Sequence, residues 1–171
     1  TNLYTMKIAI YAQNYESEAI DYVVELLDEC KNVDVEVCIE SDFYTKLAAA
    51  RQISNYATFD REVGLDSSFE MFVSFGGDGT ILRAITYVRD LGIPIVGVNT
   101  GRLGFLSTLK KEEVRRVVTE FIAGAYSIDE RSLVEVNADF DIPEFKDMNY
   151  ALNEVSVSRK DTTSMITVET H

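Results

Sequence analysis

The ten residues Met71-Phe72-Val73-Ser74-Phe75-Gly76-Gly77-Asp78-Gly79-Thr80 constrain this chain more than any others. An apolar run of strand formers ends in three glycines around one aspartate, and Ile81-Leu82-Arg83-Ala84 then opens a helical pattern. Strand, glycine turn and helix make a geometry that holds phosphates. Backbone N–H groups point into the turn, and the helix N-terminus adds partial positive charge. Glycine is needed because a Cβ blocks close backbone approach and disfavours positive φ. Asp78 is the odd residue. Phosphate cradles usually avoid carboxylates, so an acid here points to a base, a hydroxyl acceptor or a metal contact.

The spacing matches neither the dinucleotide fingerprint G-x-G-x-x-G nor the P-loop G-x-x-x-x-G-K-[ST], and the lysine a P-loop requires is absent. A plainer reading of the same residues is a tight βα turn in which Asp78 or Thr80 caps the helix.

The whole chain narrows the function classes. Its 171 residues, 46% hydrophobic and 26% charged, predict a globular protein with a real core, as one domain or one domain plus part of another. A formal net charge of −13 argues against nonspecific nucleic-acid binding, which needs clustered Lys and Arg. The same charge gives an anionic substrate no general attraction, so a phosphate site must rely on local backbone dipoles and a divalent cation. No run of about 18 apolar residues occurs, so no membrane span is expected, and no signal peptide is expected either. The first residue is Thr1 rather than Met, so either a trimmed start or missing first residues are expected. Cys30 and Cys38 have no metal spacing and read as reduced core residues of a cytoplasmic protein. His171 is the one histidine, so no histidine-based metal cluster or triad can be assembled.

Taken in order, Met6–Tyr11 reads as a buried strand and Glu16–Lys31 as an amphipathic helix. Val33–Ile39 alternates and predicts a strand near the sheet edge, with one acidic face. Phe43–Ser54 is read as helical and Asn55–Ser68 as a loop with a short turn. After the Met71–Phe75 strand come a helix from about Thr80 to Leu91, a strand at Ile95–Asn99 and a helix over Lys110–Ala123. This alternation implies βαβ units and a mainly parallel sheet with flanking helices, an α/β, Rossmann-like architecture. Ligands of such sheets sit beyond the carboxyl ends of the strands, so Gly76–Thr80 and Asn99–Gly104 should face one cleft.

Beyond Gly124 the pattern changes. Leu133–Val136, Ala151–Ser158 and Met165–Glu169 read as three antiparallel strands without helices between them. Three strands hold too little core for an independent domain, and the sequence stops inside the last one. The expected division is therefore residues 1–124 as a nucleotide- or phosphate-binding domain and residues 125–171 as the truncated start of an all-β domain.

Gly76-Gly77-Asp78-Gly79-Thr80 resembles the G-G-D-G-T signature shared by NAD kinases, diacylglycerol and sphingosine kinases and, more distantly, phosphofructokinases. Two further segments choose the branch. Gly97-Val98-Asn99-Thr100-Gly101-Arg102-Leu103-Gly104-Phe105-Leu106 resembles the G-x-N-x-G-x-L-G-F-L loop of NAD kinases, and Asn153-Glu154 is similar to their Asn-Glu motif. The resemblance runs from about Met6 to His171 and corresponds to the N-terminal half to two-thirds of such an enzyme.

It implies transfer of the γ-phosphoryl of ATP to the 2′-hydroxyl of the adenosine ribose of NAD, giving NADP, with Mg²⁺ or another divalent ion accompanying ATP. It implies Asp78 as the catalytic base. NAD contacts would come from Asp78, Gly79, Arg83, Asn153, Glu154 and Ser164, and phosphate or ATP contacts from Gly76, Gly77, Gly79, Thr80, Asn99 and Gly101. Arg83 can equally be an exposed helix arginine. The family is generally dimeric or tetrameric, so a homo-oligomer is expected of the full-length protein, with NAD and ATP as its small-molecule partners. A lipid kinase and a non-catalytic nucleotide sensor remain as other readings of the same motif.

Overall fold

The structure, a computed structural model, describes residues 5–13, 17–107, 109–145, 149–158 and 165–169. The chain divides into two compact units, Thr1–Asp129 and Glu130–His171.

The first unit is built on six parallel strands: β1 (Lys7–Ala12), β2 (Glu36–Glu40), β3 (Ala57–Phe59), β4 (Met71–Gly76), β5 (Ile95–Asn99) and β6 (Leu109–Lys110). They lie in the order β3-β2-β1-β4-β5-β6. Helices α1 (Ser17–Asn32), α2 (Ser41–Ala50), α3 (Asp78–Val88) and α4 (Arg116–Ile122) flank the sheet. Because strand side chains alternate, each strand feeds two cores. Ile8, Ile10, Val37, Ile39, Met71, Val73 and Phe75 pack with α1, α2 and α4, whereas Ala9, Tyr11, Cys38 and Phe72 pack with Ala84 and Val88 of α3. The strand order reverses between β1 and β4. Building leftward from β1 and rightward from β4 with right-handed crossovers demands opposite faces, as α1 and α2 against α3 display. In open α/β sheets ligands bind beyond the carboxyl ends of the strands at such a reversal, and the glycine turn sits at that end of β4.

Several boundaries differ from the sequence pattern. Within the stretch read as a loop, Ala57–Phe59 pairs with β2 as the edge strand, so β2 lies one strand further in. Three residues are too few to show a period, and pairing decides them. Val37–Glu40 is buried on both faces, whereas the alternation implies one wet face. Residues 33–35 turn the chain instead of extending it, with Asp34 at φ 56° and the Val35 N–H donating to the Cys30 carbonyl at 2.9 Å. The single helix read over Lys110–Ala123 resolves into the end of β6, a 3₁₀ turn at Lys111–Glu113, and α4.

The second unit holds β7 (Val134–Glu135) and β8 (Tyr150–Ala151), an antiparallel pair with Val134 opposite Ala151. Residues 152–158 and 165–169 form no strand, although both alternate or are rich in strand formers. A strand exists only through a partner, and these residues have no ladder among the described residues; Met165, Ile166 and Val168 are exposed.

The α3-side core is aromatic. The fully buried Phe72 ring lies 5.9 Å from that of Phe59 and 6.2 Å from that of Tyr87, while Tyr87 sits 5.4 Å from Tyr11. Removing Phe72 leaves a cavity these rings cannot close. Phe72→Ala should lower unfolding free energy by about 3–5 kcal/mol, read as a fall in the urea midpoint with little change in slope.

Candidate functional site

Two loops meet at the carboxyl ends of β4 and β5. The first is the glycine turn. Gly76 ends β4 at φ 152°, and a Cβ there would overlap the Oγ1 of Thr80, so the strand can pass under α3 only as glycine. Gly77 is the N-cap of α3 and supplies no side chain to the free N–H groups of the first turn. The caps considered from sequence are not used. Asp78 is the first helical residue, and Thr80 is buried, its N–H donating to the Gly77 carbonyl at 3.0 Å.

The second loop, described over residues 100–107, follows β5 on the way to its parallel neighbour β6. Parallel neighbours usually need a crossover of about a dozen residues or more, so this short link must be held tightly. Asn99 holds it. Its Nδ2 donates to the carbonyls of Arg102 at 2.7 Å and Ser107 at 3.3 Å, and its Oδ1 accepts from the Gly101 N–H at 2.8 Å. The side chain expected to meet a nucleotide phosphate is buried, and both of its donor hydrogens are engaged within the loop.

Asp78 joins the two loops. Its Oδ1 accepts the N–H groups of Leu106 and Ser107, each at 2.9 Å, and its Oδ2 accepts that of Phe105 at 2.9 Å. The Ser107 hydroxyl donates back to the Gly76 carbonyl at 3.2 Å, closing the clasp. A Cβ on Gly104 would fall on the Asp78 carboxylate itself. The glycine in Leu103-Gly104-Phe105 is therefore room for this acid.

The N–H bonds of Ser107, then Leu106, then Phe105, hold the Asp78 carboxyl below the usual carboxylate range, against a small opposing effect of burial. No charged side chain contributes to that shift. Three of roughly four carboxylate lone-pair positions are filled, and the open one is on Oδ2.

The remaining candidates fall as follows. Gly79 and Gly101 are exposed in the turn and the loop, and Arg83 is exposed on α3. Asn153 and Glu154 belong to the second unit, exposed, just after β8 rather than at the entry to a strand. Ser164 lies outside the described residues. Among the described residues no group of three or more His, Cys, Asp and Glu side chains converges as a metal cage.

Sequence reasoning missed Ser107 and the backbone N–H groups of residues 105–107. Backbone donors carry no residue signature, and the one available signal was the glycine preceding them. Dinucleotide folds often set an acid after the first helix on a ribose. The counterpart here, Glu40 at the end of β2, is buried, accepts the Phe43 N–H at 2.9 Å and caps α2. Tyr87, whose hydroxyl is pushed up to about 12 mainly by burial and then by Glu40, donates to that carboxylate at 3.4 Å. Glu40 is therefore a structural acid.

Fold and turn together define an α/β domain whose glycine-rich strand–helix turn presents a fixed carboxylate at the start of a helix. Residues 8–126 match the ATP-NAD kinase N-terminal domain, and the chain belongs to that family. It is 44% identical over 167 residues to the NAD kinase of Flavobacterium psychrophilum, covering 97% of this chain and 57% of that protein. To the NAD kinase of Bacteroides fragilis it is 34% identical over 167 residues, covering 96% of this chain and 56% of that protein. The chain thus spans little more than half the length of these relatives. Yeast NADH kinase, solved with NADH, shares the fold with a TM-score of 0.65 at 18% identity, over 80% of this chain and 44% of that one.

The clasp predicts a pH response. The folded-state pKa of Asp78 is depressed, so its stabilising contribution is present above the unfolded value of about 3.9 and is lost as pH falls through the lower folded value. In an NMR titration, the amide protons of Phe105, Leu106 and Ser107 should shift together with the Asp78 carboxyl carbon, with a midpoint below that of ordinary aspartates. A midpoint at the ordinary value would show that the clasp does not persist in solution.

Proposed function

We propose that this chain is the catalytic-turn portion of an NAD kinase, which transfers the γ-phosphoryl group of ATP to the 2′-hydroxyl of the adenosine ribose of NAD. The observation that carries the reading is the Asp78 carboxylate, ionised and fixed just past the carboxyl end of β4, beside the reversal of strand order, with one open acceptor position. One open position suits one hydroxyl. Asp78 accepts the ribose O–H, orients the oxygen toward the phosphorus and takes its proton as the new P–O bond forms and the bond from the γ-phosphorus to the bridging oxygen of departing ADP breaks. The uncapped N–H groups at the start of α3 face a phosphate oxygen, and Gly77 and Gly79 leave that approach open. Arg83 supplies a positive charge from one turn further along α3.

Asn153 and Glu154 are assigned to the neutral ribose–adenine part of NAD, an amide and a carboxylate being suited to hydroxyls and ring nitrogens. The relatives are longer, and we assign closure of the dinucleotide pocket and homo-oligomer assembly to their additional length. A divalent ion is assigned as a companion of the nucleotide's own phosphates, where it would neutralise charge. No helix among the described residues is long and apolar enough to cross a membrane. The proposed setting is the cytoplasm.

A chimera in which this chain replaces the matching 167-residue segment of the Flavobacterium johnsoniae NAD kinase tests the reading, with NADP formation from NAD and ATP as the signal. Turnover is expected, and Asp78→Asn should lower kcat by about 10²–10⁴-fold. Glu154→Ala should instead raise the KM for NAD with a smaller change in kcat. A folded chimera that phosphorylates no NAD, or an Asp78→Asn variant with unchanged kcat, would remove the assignment.

A further inference from the structure

The clasp gives two residues outside the reacting groups a definite task. We propose that Asn99 and Ser107 are positioning residues: together they fix the 100–107 loop so that its backbone N–H groups aim the Asp78 carboxylate. The inference rests on the reading of Asp78 as the group that meets the substrate hydroxyl, and it adds what holds that group.

The connections are continuous. Asn99 sits at the last position of β5, paired with Gly76 in the sheet, so its backbone is fixed by the ladder. Its buried amide ties the near end of the loop through Gly101 and Arg102, and the far end through the Ser107 carbonyl. Ser107 is buried and is held at three points. Its carbonyl accepts from Asn99, its hydroxyl donates to the Gly76 carbonyl, and its N–H donates to Asp78. The Gly76 carbonyl lies two residues before Asp78, so the serine spans from the strand to the acid that follows it. With the loop pinned at both ends, the N–H groups of residues 105, 106 and 107 converge on one carboxylate. An exposed aspartate without them would sample its rotamers freely.

Neither residue needs to touch a nucleotide for this. Asn99 has spent both donor hydrogens, and the Ser107 hydroxyl points into the strand end. A buried polar side chain whose bonds all run to one loop acts on that loop.

Two measurements test it, one independent of turnover. In the 171-residue chain, ¹³C titration of the Asp78 carboxyl should show the midpoint rising by about half a pH unit in Ser107→Ala and in Asn99→Ala. Ser107→Thr, which keeps the hydroxyl, should restore it. In the chimera, Ser107→Ala should lower kcat by about 10-fold or more with the KM for NAD and ATP within about 2-fold, and Ser107→Thr should recover most of the loss. Thermal melts confirm that each variant is folded, and if Asn99→Ala is not, the Ser107 pair carries the test.

An unmoved Asp78 midpoint in both alanine variants would overturn the proposal. A raised KM for ATP in Asn99→Ala with an unmoved midpoint would make Asn99 a nucleotide contact instead. A shifted midpoint, rescued by threonine, in a chimera that makes no NADP would uphold the clasp and remove the kinase reading. The two ideas can therefore fail separately.

Discussion

Three backbone N–H groups converge on the carboxylate of Asp78, and most of what is particular to this chain follows from that meeting. Bonds of N–H to an ionised carboxylate are among the stronger ones a folded chain makes. They join the start of α3 to the loop beyond β5, two places separated by 27 to 29 positions in sequence. To be reached, the carboxylate must leave a helix N-terminus at the end of β4, and the loop must return beside it. The parallel pairing of β4 with β5 supplies this, because it brings Gly76 level with Asn99. The clasp is thus a consequence of the sheet register, and it lies at the carboxyl ends of β4 and β5, next to the point where the strand order reverses.

The same meeting explains which glycines the motifs contain. Gly76 and Gly104 are both steric requirements, one for Thr80 above the strand and one for the Asp78 carboxylate. Gly77 and Gly79 have open space where a Cβ would stand, so no packing among the described residues requires them. Their smallness matters only if something else approaches the turn. This division separates glycines that the loop's own packing requires from glycines with open space around them. Phe105 belongs to the same picture. With its N–H bound to Asp78, Phe105 is left 94% exposed beside the turn.

The α/β character, the parallel sheet and the glycine turn were legible in the sequence because each leaves a local trace, as apolar runs, helical periods and punctuation by glycine. Elements whose existence depends on a partner were not. Ala57–Phe59 and Leu109–Lys110 are strands only because β2 and β5 lie beside them. Residues 165–169 show the converse, with an alternating pattern and no ladder among the described residues. For the site, Asp78 was legible as an anomaly among glycines. Its three partners were not, since backbone amides look the same at every position. Asn99 stood out as part of a recognisable loop, but only the geometry reveals that its amide is directed at the loop itself. Ser107 had no signal beyond its place one residue past the motif.

The depressed pKa of Asp78 also bears on how the proposed reaction divides its labour. A carboxylate with low proton affinity is ionised throughout the neutral range, yet it is a weaker proton acceptor than one whose pKa lies near the working pH. If strong basicity were what the turn supplied, three N–H donors would be the wrong surroundings, since each stabilises the ion at the expense of the acid. Phosphoryl transfer through a loose transition state asks less of the base. Little negative charge need develop on the attacking oxygen before the bond to phosphorus forms, whereas its direction and distance matter throughout. The clasp favours direction over basicity, and a chain of net charge −13 gains from this a second way. The donors that orient the acid also disperse its charge, which lowers the repulsion a triphosphate would meet at the turn.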